Sequence, residues 1–347
     1  MPFFYRLPLI LAGLVLSSAA TAQAVQGQGA TFPSKVYDTW ARAFAKAGGG
    51  AVAYKGTGSG DGIKQIQARG VDFGGTDTPL PAAELARHKL VQIPMLVGGV
   101  VPVINLPGST APLQLDGELL ADIFLGRVKV WNDARIAALN PGVALPVLPV
   151  RRVVRAEKSG TTEGFTRYLA GASTRFKAEV GAGSAPAWPT EPLKAEGNDG
   201  MVQTLRATPG AIAYVSFDRV LRDKLAAVKL RNAAGRFVAP SEAGFRAAIL
   251  DSDMHRSGDD LATLLDRAGA EAWPITLTSF VLVDAEPATA AKALGALKFL
   301  YWCFMHGDEL TRGSGFAPLP VSVQSRLAAR FTQVRPKDGQ LPAYQSF

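Results

Sequence analysis

The sequence predicts an α/β fold built on a largely parallel sheet. Three observations predict it: short apolar strands alternate with helical patterns along the chain, glycine-rich turns join them, and two long apolar runs stand far apart. The first helix carries Val36, Trp40, Ala43, Phe44 and Ala47 on one face, with Pro33 at its first turn and Gly48-Gly49-Gly50 at its end. Ala51–Tyr54 reads as a strand. The turn Gly56-Thr57-Gly58-Ser59-Gly60-Asp61-Gly62 leads into a helix carrying Ile63 and Ile66, and Val71–Gly74 reads as the next strand. Leu96–Leu106 is continuously apolar and rich in β-branched residues, which suits a long buried strand ended by Pro107-Gly108. A second α/β set runs from about Leu113 to Asp266. Trp273–Val283 is a similar apolar strand, and the run from 96 and this one read as two crossings between halves of the molecule. Two helical segments follow, around Ala288–His306 and Val321–Phe331. No repeat of fixed period is present.

The chain of 347 residues is long enough for two cores. Hydrophobic residues make up 48% and charged residues 19%, which excludes a disordered, fibrous or multi-span membrane protein. Arg6, an apolar run from Leu7 to Val15 and the small-residue end Ala22-Gln23-Ala24 describe a cleavable signal peptide over 1–24 rather than a retained anchor. Cleavage is expected after Ala24, with Ala22 as the alternative. The single cysteine, Cys303, permits no internal disulfide and stands far from the leader, so an N-terminal lipid anchor is excluded. Its apolar neighbours Phe299–Phe304 mark it as a core thiol. His88, His255 and His306 have no metal-ligand spacing. The net charge of +8 suits anionic partners in general, but no basic cluster alternates with aromatics, so nucleic-acid binding is not expected.

The glycine turn at 56–62 fits no enzyme motif. The dinucleotide pattern G-x-G-x-x-G fails at Asp61 and at Ile63, the phosphate loop of nucleotide hydrolases needs Lys where Ile63 stands, and a nucleophile elbow around Ser59 needs glycine where Thr57 stands. What remains is a helix N-terminus with free N–H groups, its dipole and the Ser59 hydroxyl, which suits an anion. Taken alone, the turn is better read as a plain strand-to-helix connection. Thr31-Phe32 and Ser159-Gly160-Thr161 precede two further helices, and each reads as an N-cap or as an anion point. Arg155 ends a strand just before the latter. Its forked guanidinium can grip a tetrahedral oxyanion and Glu157 can hold it in place, and a surface salt bridge is the other reading. Asp77 ends an apolar strand before Pro79. It is either a turn residue or a carboxylate aimed at a ligand, and an ionised carboxylate accepts hydrogen bonds only, so the ligand would need a proton.

These motifs, in this order, resemble the PstS-type phosphate-binding proteins of bacterial phosphate ABC transporters. The matching stretches are GQGATFP at 27–33, GTGSGDGIKQI at 56–66, VDFGGTDTPL at 71–80, VGGVVPVINLPG at 97–108 and LDGELLADIFLGRVKVWND at 115–133. VVRAEKSGTTEGFT at 153–166, GNDG at 197–200, PGAIAYV at 209–215 and AWPIT at 272–276 continue the series. The resemblance implies a two-lobed type II periplasmic binding protein fold with the ligand in the inter-lobe cleft. Residues 25–103 and 274–347 would form one lobe and 104–273 the other. Carried over position by position, Thr31, Phe32 (through its N–H), Ser59 and Asp77 would meet phosphate from one lobe, and Arg155, Ser159, Gly160 and Thr161 from the other. Glu157 stands where the family has an Asp that orients the arginine, and Asp61 stands where glycine is common.

The resemblance implies a periplasmic, monomeric, non-enzymatic protein without metal or cofactor, which binds inorganic phosphate and passes it to the permease of an ABC importer. A binding protein for another oxyanion such as sulfate or molybdate is one alternative, and Asp77 argues against it because those anions carry no proton near neutral pH. A secreted phosphatase is the other, and no sequence-adjacent nucleophile and base are visible for it.

Overall fold

The computed structural model describes residues 24–108 and 112–347; of the expected signal peptide, only Ala24 lies among the described residues. The chain starts with β1 (Val25–Gly29), α1 (Ser34–Lys46), β2 (Val52–Gly56), α2 (Ser59–Gln67), β3 (Phe73–Thr76) and α3 (Ala82–His88). The long β4 (Leu90–Asn105) leads to β5 (Gln114–Leu115), α4 (Gly117–Phe124) and α5 (Ala134–Leu139). Then come β6 (Arg151–Arg155), α6 (Gly160–Ala172), α7 (Thr174–Glu179), β7 (Leu193–Ala195), α8 (Gly197–Ala207), β8 (Ala211–Ser216) and α9 (Phe217–Asp223). Short β9 (Ala226–Ala227), β10 (Lys229–Arg231) and β11 (Phe237–Val238) precede α10 (Glu242–Leu250) and α11 (Asp253–Arg256). The return is β12 (Thr276–Asp284), α12 (Ala290–Thr311), β13 (Phe316–Pro318) and α13 (Val321–Ala328).

The main sheet runs β2-β1-β3-β12-β4-β8-β6-β7. Its two ends are parallel triplets, β2-β1-β3 and β8-β6-β7, and antiparallel pairing through β12 and β4 joins them. β4 belongs to both halves. Residues up to Gly99 pair with β12, and from Val100, paired with Ser216, it pairs with β8. In an open parallel sheet, ligands sit beyond the carboxyl ends of the strands. Here those ends are Gly29, Gly56 and Thr76 on one side and Arg155 on the other, so the strand directions alone bring the motif residues to one cleft.

The apolar stripe of α1 packs as its spacing requires: Val36, Tyr37, Trp40, Ala41 and Phe44 are buried. β4 starts at Leu90, six residues before the expected Leu96. Gln92 and Pro94 break the apolar run in the sequence, yet Gln92 is buried and its side-chain oxygen accepts the N–H of Leu80 at 2.8 Å. β12 starts at Thr276 rather than Trp273, and the Trp273 indole donates to the Val100 carbonyl at 3.0 Å. α12 extends to Thr311, past the expected His306, and the last helical segment ends as a 3-10 turn over Ala329–Gln333. Cys303 is buried in α12, and burial pushes its thiol well up. Among the described residues, no helix is long and apolar enough to cross a membrane.

Candidate functional site

The β6–α6 junction is an arrangement of donors. Val153 and Val154 anchor β6 in the core and put Arg155 at its carboxyl end, with a side chain only 1% exposed. Arg155 Nε donates to Glu157 Oε1 at 2.7 Å, and Nη2 donates to the same oxygen and to Thr31 Oγ1 at 2.9 Å. Nη1 is buried without a partner among the described residues. Glu157 also accepts the N–H of Gly197 at the start of α8, at 3.3 and 3.4 Å for its two oxygens. The GNDG stretch at 197–200 therefore braces the carboxylate that braces the arginine. A buried guanidinium with one unpaired edge is costly, and an oxyanion is the partner its fork fits.

Ser159 caps α6 by accepting the N–H of Thr162 at 3.2 Å. That is the N-cap role expected of it, and it leaves the hydroxyl proton free to donate. Gly160 and Thr161 form the first turn, where N–H groups have no partner within the helix. Gly160 donates to Ser59 Oγ at 3.2 Å, and so does the N–H of Asp77 at 3.2 Å. With both acceptor positions of its oxygen engaged, the Ser59 hydroxyl can offer a ligand only its proton. Gly160 has to be glycine: a Cβ there would lie 2.5 Å from Ser59 Oγ and 2.9 Å from Asp77 Cβ.

The opposite wall comes from the ends of β1, β2 and β3. Thr31 and Phe32 follow β1, and the Phe32 ring packs edge-on against Phe316 at 5.0 Å, which leaves its backbone for the cleft. Gly62 fits α2 onto the sheet, since a Cβ there would lie 2.5 Å from the Gly75 carbonyl oxygen. The glycine turn is thus partly a packing device, the plainer of its two readings, while Ser59 still reaches the cleft. Asp61 is not aimed at the cleft residues: Thr57 Oγ1 at 2.6 Å and Gln28 donate to it, and the Thr57 bond holds its carboxyl below the usual range. Asp77 is 5% exposed, and Ser279 Oγ donates to its Oδ1 at 2.8 Å. Burial pushes the Asp77 carboxyl up to about 7, against the Ser279 hydrogen bond and the Arg155 charge, which lower it.

The two walls meet. Besides Arg155–Thr31 and Gly160–Ser59, the Gly60 N–H donates to the Lys158 carbonyl at 3.4 Å and Thr78 Oγ1 to Glu163 Oε2 at 3.0 Å. A cavity of about 670 Å³ opens beside this cluster and shares Thr31 and Glu157 with it; Arg155, Ser59 and Asp77 lie off its lining. The cluster holds the unpaired Arg155 Nη1, and the cavity lining holds a second buried donor without a partner among the described residues, Asn198 Nδ2. Of the eight residues expected at the ligand, hydrogen bonds bring Thr31 to Arg155 and Ser59 to Asp77 and Gly160, while Phe32, Ser159 and Thr161 lie next to these in the chain. The sequence reading missed Ser279, Tyr214 and Thr162. The Thr162 and Tyr214 hydroxyls bond each other at 2.8 Å, and the Tyr214 oxygen accepts the Arg155 N–H at 3.3 Å, fixing the end of β6. Burial pushes the Tyr214 phenol up to about 12, so it stays a neutral strut.

Comparison with known proteins shows the family. A family model described as a PBP superfamily domain matches residues 16–305. The phosphate-binding protein PstS of Pasteurella multocida is 39% identical over 338 residues, covering 96% of this chain and 97% of that protein. The PstS of Haemophilus influenzae is 37% identical, covering 90% and 93%. Among solved structures, a high-affinity periplasmic phosphate-binding protein bound with phosphate superposes with a TM-score of 0.69 at 24% identity, covering 88% of this chain and 93% of that one. A phosphate-binding protein from Stenotrophomonas maltophilia gives 0.66 at 20%, covering 89% and 94%. These two likenesses speak for the two-lobed fold, and the curated relatives speak for the family. The chain belongs to the PstS family of the PBP superfamily.

Proposed function

We propose that this protein binds inorganic phosphate between its lobes in the periplasm, without turning it over, and passes it to the permease of an ABC-type importer. The observation that carries the reading is the buried, unpaired Arg155 Nη1 beside the capped N-terminus of α6. The relatives' names, phosphate-binding protein PstS, support the ligand. The contacts are Thr31, Phe32, Ser59 and Asp77 from one lobe and Arg155, Ser159, Gly160 and Thr161 from the other, with Glu157 holding the arginine. On this reading the lobes are 25–103 with 274–347, and 104–273; the exchange of β4 partners near Val100 supports a crossing there.

Selectivity over sulfate falls to Asp77. Phosphate keeps a proton at neutral pH, which an ionised Asp77 accepts as a charge-assisted hydrogen bond. Sulfate has none and meets the carboxylate acceptor to acceptor. A desolvated contact of that kind costs several kcal/mol, or roughly a thousandfold in affinity. The test is calorimetric titration of ligand-free protein with phosphate and with sulfate, alongside incubation with a chromogenic phosphate ester. Tight phosphate binding, weak sulfate binding and no ester turnover are expected. Equal affinity for the two anions would favour a general oxyanion binder, and ester turnover would favour a phosphatase.

A further inference from the structure

Asp77 is held from behind by a residue that stands 202 positions later in the chain. Ser279 lies on β12, fully buried, where the register with β4 shifts between Ser279 and Phe280. The extra residue is Met95, on β4, so β12 itself runs on unbroken. Here the neighbour Phe280 still pairs with Thr76 at the end of β3, so Ser279 arrives beside the residue that follows that strand. Its hydroxyl donates to Asp77 Oδ1, while Oδ2 has no hydrogen-bond partner among the described residues. The carboxylate is therefore tied at one oxygen and open at the other.

We propose that Ser279 is a positioning residue for anion selectivity: by donating to Asp77 Oδ1 it favours the ionised carboxylate and leaves Oδ2 as the one acceptor a ligand must satisfy with a proton. The proposal rests on the reading that Asp77 meets the ligand. Its logic is the difference between an acid and its conjugate base. A protonated Asp77 can donate, and would then take sulfate as readily as phosphate. Burial drives Asp77 toward that protonated form, and the Ser279 hydrogen bond opposes it. The other groups that face Asp77 are Arg155 from β6, Tyr37 from α1 and Tyr54 from β2, with Glu163 and Arg167 of α6 bordering a small neighbouring cavity. Glu163 and Arg167 pair with each other at 2.8 Å. Burial pushes both phenols well up, so neither changes charge near neutral pH. The switch is thus between Ser279 and Arg155 on one side and burial on the other.

Sulfate carries no titrating proton between about pH 5 and 9, so the pH dependence of its binding reports the protein alone. Sulfate affinity is measured across that range for the wild type, Ser279→Ala and Ser279→Thr. Wild-type sulfate binding should strengthen as pH falls through about 7, the value to which burial pushes Asp77. In Ser279→Ala the midpoint should move up by about one pH unit, giving about fivefold tighter sulfate binding near pH 8 and about tenfold near pH 9. Ser279→Thr keeps the hydroxyl and should keep the wild-type midpoint; it also guards against a loss of folding caused merely by altering β12. A Ser279→Ala midpoint equal to that of the wild type overturns the proposal. Sulfate binding without any pH dependence in the wild type overturns it together with the reading of Asp77, whereas phosphate binding unchanged in Arg155→Ala would remove the site itself.

Discussion

The two walls of the cleft differ by one group. The β6–α6 wall offers donors, the Arg155 edge, the Ser159 hydroxyl and the Thr161 N–H of the first turn of α6, the Gly160 N–H being taken by Ser59; the β3 wall carries the Ser59 hydroxyl and one acceptor besides. The β3 wall ends in an acceptor, Asp77, buried with its back to Ser279. Any tetrahedral anion would satisfy the first wall. On the proposed reading only an anion with a proton satisfies the second, and a substitution at Asp77 should disturb selectivity more than affinity.

The largest effect should come from Arg155→Ala. It removes the charged donor and leaves Glu157 with only the Gly197 N–H to hold. Deleting one partner of a buried charged network costs about 3 kcal/mol or more, so phosphate affinity should fall at least a hundredfold by calorimetry. Sulfate, where it binds, should lose by a similar factor, because this wall does not discriminate. A loss below threefold would take Arg155 out of the site.

Gly160→Ala comes next. At the start of a helix, alanine for glycine is ordinarily harmless or stabilising. Here the new methyl would meet Ser59 Oγ and Asp77 Cβ and hold the walls apart. Overpacking of this kind costs about 1–3 kcal/mol, so affinity should fall about tenfold to a hundredfold while the melting temperature without phosphate is unchanged or raised. Solution scattering with phosphate should show a larger radius of gyration than the wild type has. Wild-type compaction would mean that the walls do not close as described.

Glu157→Gln should have the smallest effect. The glutamine keeps the shape and one acceptor for Arg155 but loses the charge, so the expected loss of phosphate affinity is about tenfold, or about 1.4 kcal/mol. An Arg155 that binds as well without this carboxylate would owe its orientation to Thr31 and Tyr214 alone.

The same contrast explains what could be read from the sequence. The donor wall is local: Arg155, Glu157, Ser159, Gly160 and Thr161 lie within seven positions, and an N-cap before a helical pattern is visible without a structure. The alternating elements and the two long apolar strands are legible for the same reason. The acceptor wall is assembled from distance. Asp77 shows in the sequence only as a carboxylate at a strand end, and nothing near Ser279 marks it as a partner. Their meeting depends on the antiparallel placement of β12 against β3, whose register sets Phe280 opposite Thr76 and so brings Ser279 beside Asp77. Tyr214 is hidden likewise inside the apolar run of β8, where an aromatic reads as core. The early start of β4 escaped because Gln92 and Pro94 look like interruptions until the Leu80 N–H supplies a partner for the buried amide.

Asp77→Asn tests the division of labour between the walls most directly. The amide has nearly the same volume, carries no charge and can donate as well as accept. Titration of this variant with phosphate and sulfate at pH 9, two units above the value of about 7 to which burial pushes the Asp77 carboxyl, should show sulfate binding gained by about a hundredfold. Phosphate affinity should change far less than in Arg155→Ala. A variant that rejects sulfate as strongly as the wild type would contradict the account, and Asp77 would then be a turn residue with no part in choosing the anion.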